Sequence, residues 1–192
     1  MIGAMKRLFI ASLVAAVFWF VYGSLSWTVF GWHSPKEMKD DRAIVAALKS
    51  SVTETGVYIV PQKANPDGSH KSQDEWMKAS DAGPFMHAVI RPGSVRRPMV
   101  SYFAANFVYN LLIILVLASV MQKTAVRGWA GLASLGAFIG LFGALANWLP
   151  NFNWFGFPPS YWLPTVIDQV IQGAAAGAII GKIALPAGAP RA

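Results

Sequence analysis

Four stretches of this chain are apolar over about the thickness of a bilayer: residues 8–30, 100–121, 129–149 and 163–185. Crossing about 30 Å of hydrocarbon at about 1.5 Å per residue takes about 20 residues of helix. Three of the stretches have no formal charge in their interior, and the fourth carries Asp168. Between the first and second, residues 31–99 break into short polar and apolar segments. Ser34-Pro35-Lys36-Glu37 has the form of a capping box with proline at the first helical position, and it predicts a helix to about Lys49 with Ile44, Val45 and Leu48 on one face. Residues 56–60 read as a strand stopped by Pro61, and Asn65-Pro66-Asp67-Gly68 reads as a turn. Ser72-Gln73-Asp74-Glu75 is a second capping box, opening a helix through Ala79. Residues 85–90 read as a second strand, closed by Pro92-Gly93. The predicted class is therefore a mainly α integral membrane protein. It is a four-transmembrane-helix bundle with a small extracytoplasmic α/β module inserted between helices one and two. Residues 1–32 form the first helix with its short N-terminus, 33–98 the module, and 99–192 helices two to four. Two strands alone are marginal in water, so the module is expected to lean on the membrane helices or on a partner chain.

Composition sharpens this picture. Hydrophobic residues make up 55% of the 192 and charged residues 13%, about half the charge of a soluble domain. A soluble chain this short buries too little of its surface to hide so much apolar area. The first apolar stretch follows Lys6 and Arg7, as a signal peptide would, but it is too long for an h-region and ends in Phe30, Trp32 and His33 rather than a small-residue cleavage site. It reads as a retained helix.

The net charge of +7 belongs to this topology rather than to nucleic acid, since no arginine-rich run with interleaved aromatics occurs. Lys6 and Arg7, Lys123 and Arg127, and Lys182 and Arg191 mark one side, whereas the segment 150–161 is uncharged. The positive-inside rule puts both termini in the cytoplasm and residues 33–98 outside the cytoplasmic membrane. Arg91, Arg96 and Arg97 run against this, but they sit in a segment longer than the roughly 60 residues over which the rule holds. Eight of the nine acidic and ten of the sixteen basic residues fall in 31–99, as in a solvated domain. Trp27, Phe30 and Trp32, and the aromatic-rich segment around Trp148, Trp154, Tyr161 and Trp162, fit an interfacial belt.

Helix four carries Gly173, Gly177 and Gly181 at four-residue spacing, and helix three carries Gly136, Gly140 and Ala144. Small residues at this spacing let helix backbones approach closely where lipid offers no hydrophobic drive. The economical reading packs helices three and four together within one chain; the alternative is a homo-oligomer contact.

Asp168 falls about five residues into the fourth stretch, roughly 8 Å below its boundary. A carboxylate there needs compensation. Gln169 and Gln172 neighbour it on the helix. Asn106, Asn110 and Tyr109 on helix two, Asn147 at the end of helix three, and Ser24, Ser26 and Thr28 on helix one are the polar residues at the same level. One reading is structural glue between helices; the other is a polar cavity with Asp168 as a proton or cation site.

There is no cysteine, so disulfides and thiolate chemistry are excluded. His33, His70 and His87 all fall outside the apolar stretches, without the spacing of a metal motif, and read as separate surface or strand histidines. Neither a cofactor nor a catalytic pair is expected. The function these features favour is an accessory, assembly or interaction subunit of a membrane complex, with the lipid bilayer and other membrane subunits or a second copy as partners. The alternative is a small transporter, channel or ligand sensor built on the polar cluster.

Overall fold

The computed structural model describes residues 2–33, 35–93 and 97–188. Its elements in chain order are α1 (Ile2–Thr28), α2 (Asp41–Ser51), β1 (Gly56–Val60), α3 (Gln73–Ala82), β2 (Met86–Ile90), α4 (Met99–Lys123), α5 (Trp129–Phe155) and α6 (Pro159–Ile183). Among the described residues, four helices are long and apolar enough to cross a membrane: α1, α4, α5 and α6. The protein is a helical chain with the character of a multi-pass membrane protein and a small two-stranded sheet. The chain divides into two compact units, residues 36–96 and the remainder.

In the helical unit, α5 and α6 form an antiparallel pair in contact along most of their length. A Cβ on Gly136 would run into the carbonyl oxygen of Gly173, and one on Gly173 into that of Gly136. The same holds for Gly140 against Gln169 and for Gly177 against Leu132, while a Cβ on Gly181 would lie 2.7 Å from the Gly128 oxygen. The absence of side chains here is what lets the two backbones touch. The pair is closed at one end by Gly128 N–H donating to the Leu185 carbonyl at 2.9 Å. α6 also packs on α1, and α1 packs on α4, but α4 barely touches α5 or α6. The helices thus follow the contact order α4, α1, α6, α5, with a gap left beside α4. A closed bundle would have filled it. The buried core is small-residue rich: Ala11, Ala15 and Ala16 of α1 with Ile114, Ala118 and Met121 of α4 and Ala176 and Ile180 of α6.

Two helices run further than the apolar pattern predicts. Pro150 lies inside α5 rather than ending it. A single proline removes one backbone hydrogen bond and is tolerated in helices of this kind. The stop comes at Gly156, which adopts φ 68° and whose N–H caps the Asn151 and Phe152 carbonyls. α6 starts at Pro159, with Pro158 as its N-cap. Asp168 therefore lies about 14 Å along α6 from its first residue, deeper in the helix than expected.

In the unit 36–96, β1 and β2 pair antiparallel with Val57 opposite Val89 and Ile59 opposite His87. The first helix begins later than the Ser34-Pro35 signal predicts: Asp40 is its N-cap, accepting from Arg42 and Ala43 N–H. Ser34 itself lies outside the described residues. At α3 the capping box forms as the sequence indicates, with Ser72 Oγ accepting from Glu75 N–H. The Ser72 N–H and hydroxyl donate to the Glu75 carboxylate at 2.8 and 2.9 Å, and these bonds hold the carboxyl below its ordinary 4.5.

Two outcomes follow from this packing. Gly136→Leu and Gly173→Leu should each destabilise the protein by about 2 kcal/mol or more, as overpacking does. Thermal unfolding in detergent checks this, with Gly3→Leu as the control because nothing lies within 4 Å of a Cβ there. Because the folded pKa of Glu75 is depressed, its contribution is present above pH 4.5 and is lost as pH falls through the lower folded value. Amide-exchange protection factors in the first turn of α3, corrected for the intrinsic pH dependence of exchange, should therefore fall below pH 4.5, and Glu75→Gln should remove that fall.

Candidate functional site

The site is built by α1 and the turn that follows it. Tyr22 and Ser26 are four residues apart and so share one face of α1. Past Thr28 the helix unwinds, and Gly31, at φ 71°, turns the chain back on itself. Trp32 and His33 then fold against the end of α1, where the Trp27 ring stacks on the His33 imidazole at 4.1 Å and 6°. α6 supplies the carboxylate these groups surround.

Asp168 is 4% exposed and holds three donors. Its Oδ1 accepts from the Tyr22 hydroxyl at 3.0 Å, and its Oδ2 accepts from the Ser26 hydroxyl at 2.6 Å. His33 Nε2 lies 2.8 Å from the same Oδ2. Trp32 Nε1–H completes the network by donating to Ser26 Oγ at 2.8 Å. With an ionised carboxylate, Nε2 must carry a proton, since two lone pairs cannot face each other at this distance. A carboxylate placed in an apolar helix is thereby stabilised by hydrogen bonds rather than by water.

Serine, histidine and aspartate together invite comparison with a nucleophilic relay. Such a relay needs the hydroxyl on one ring nitrogen and the carboxylate on the other. Here Ser26 Oγ, at 3.1 Å, and Asp168 both face Nε2, and Ser26 gives its proton to Asp168. His33 Nδ1 is buried without a hydrogen-bond partner among the described residues. The arrangement is a clamp that fastens the end of α1 to α6.

The structure redistributes the residues singled out in the sequence. Asp168, Gln169, Gln172, Asn106 and Asn110 line one cavity of about 910 Å³ between α1, α4 and α6. Gln172 Nε2 donates to the Trp19 carbonyl at 3.3 Å, a second tie between α6 and α1. Tyr109 and Asn147 are not among the cavity residues: Tyr109 is exposed, and the Asn147 carbonyl accepts from the Asn151 side chain. The expected donors from helices two and three do not reach Asp168; its donors come from α1 and the following turn. His33 is correspondingly no surface histidine. Tyr22 and His33 were the partners that sequence reading missed. The one available signal was the Tyr22–Ser26 spacing within an otherwise apolar face. His70 pairs by backbone with Ala64, and His87 lies in β2.

Comparison of the chain with protein-family models, with curated proteins and with solved structures finds no match.

A buried pair of this kind is costly to break from one side. His33→Ala and Asp168→Ala should each destabilise by about 3 kcal/mol. The double substitution should cost less than the sum by at least about 1 kcal/mol. Thermal unfolding of the four proteins in detergent measures the coupling, and strict additivity would show that the clamp does not hold α1 to α6.

Proposed function

We propose that this protein is an accessory or assembly subunit of a membrane complex, and that the unit 36–96 is the part that meets a protein partner. One observation carries the reading: among the described residues of this unit, Val52 is the only one that is buried. Its helices α2 and α3 bury no residue at all. A two-stranded sheet with two short helices and so small a core is not stable on folding energetics alone. Val57 and Val89 face each other across the strands at 63% and 67% exposure, an apolar cross-strand pair left open. Among the described residues each strand pairs on one side only, and strand addition by a partner uses such an edge.

The same reading includes an orientation. The basic residues at the N-terminus, between α4 and α5, and after α6 support cytoplasmic termini and an extracytoplasmic unit 33–98 in the cytoplasmic membrane. The clamp supports a structural role for Asp168, because its oxygens are already occupied by donors of the same chain.

Affinity purification of the tagged protein from its native membrane in mild detergent, with mass spectrometry, tests the reading. A stoichiometric protein partner is expected. Val57→Lys with Val89→Lys should lower its recovery at least tenfold without lowering the yield of the chain itself. Unchanged recovery in that variant, or a bare and fully stable monomer, would overturn it.

A further inference from the structure

The gap beside α4 has a graded lining. At one end is the 910 Å³ cavity with its polar side chains. A second cavity of about 410 Å³ continues from it, sharing Trp19, Ile113 and Gln169 as walls. This second cavity is lined by Val116, Val120 and Ile139, with Gly136, Gly140 and Gly173 as its floor. From Asn106 through Asn110 and Ile113 to Val120, one flank of α4 passes from amide to aliphatic over about 21 Å.

Amides line the polar end. Asn110 is 6% exposed and lines the cavity, and its carboxamide has no hydrogen-bond partner among the described residues; on the same wall Gln169 is half-buried and Asn106 is exposed. A buried carboxamide such as that of Asn110 gains from any group in the cavity that hydrogen-bonds it. Among the described residues, the cavity walls contain no lysine or arginine to hold an anionic head. Asp168, the one acid in them, is already satisfied by Tyr22, Ser26 and His33, so a cationic head finds no free carboxylate. Amides that both donate and accept suit an uncharged head.

We infer that this groove binds a single amphiphile, with an uncharged head bearing carbonyl or hydroxyl groups against Asn106, Asn110 and Gln169 and a linear apolar tail along Val116 and Val120. Two sources share that chemistry: the glycerol-ester region of a bilayer lipid and a free prenyl-type quinone. The site is independent of the protein partner proposed for residues 36–96.

The test titrates the full-length protein, in mild detergent, with decylbenzoquinone and separately with dioctanoylglycerol, following tryptophan fluorescence, since Trp19 and Trp27 line the groove. A saturable response is expected from at least one probe. Saturation by quinone that the diacylglycerol cannot displace assigns a free quinone; displacement assigns the ester region of a lipid. Asn110→Leu, which removes the head contact, and Val116→Trp, which fills the tail region from an exposed position on α4, should each weaken the response at least tenfold. Should Asn110→Leu fail to accumulate, Val116→Trp carries the test, with elution profile and melting temperature as the folding control. A response that rises linearly without saturation for both probes, or an affinity unchanged in either variant, overturns the proposal.

Discussion

A carboxylate inside an apolar helix must find its hydrogen bonds within the protein, and the arrangement of α1 against α6 follows from how Asp168 finds them. Its donors lie on a face of α1 and on the turn beyond it, so α1 has to sit beside α6 in one rotation, and the chain has to fold back at Gly31. The stacking of Trp27 on His33 and the bond from Trp32 to Ser26 hold that turn in place. Gln172 repeats the tie one turn along α6. Polar contacts between helices in lipid are modest one by one. Here several converge on two oxygens, and removing any one leaves the others in an apolar surrounding.

The α5–α6 pair is held by a different means. Its contact is backbone against backbone at Gly136, Gly140, Gly173 and Gly177, with dispersion forces and shape as the cohesion. The two modes meet on α6, which presents glycines to α5 and Asp168 and Gln172 to α1. α4 has neither a glycine seam nor a polar tie to α6, and it rests mainly on α1, through residues such as Ile114 and Ala118. The gap beside α4 is what remains.

Much of this was legible in the chain. The four apolar stretches, both strands and the Ser72 capping box are local patterns, read from hydrophobic period and turn residues. The errors have local causes too. Ser34-Pro35 and Asp40-Asp41 are both plausible helix starts, and only the second caps α2. Pro150 reads as a stop because proline costs a hydrogen bond, yet a helix in apolar surroundings continues until a residue such as Gly156 can turn its end. Asp168 was visible as a residue that needs partners. Which residues supply them was not, because Tyr22 and Ser26 are 146 and 142 positions away and no periodicity links them. His33 looked like a loop residue for the same reason: its burial is decided by a helix not yet written when it appears in the sequence.

That separation bears on how the protein is made. The groups that receive Asp168 leave the ribosome with α1 and the turn after it, and Asp168 follows only with α6. Throughout synthesis Tyr22, Ser26 and His33 wait without their acceptor, and α1 lacks the tie that fixes its rotation. Closure of the helical unit is therefore a late, post-insertion event that depends on the arrival of α6. A chain interrupted before that point would expose an unsatisfied polar face within the membrane, the kind of surface by which a quality-control protease tells an unfinished membrane protein from a completed one.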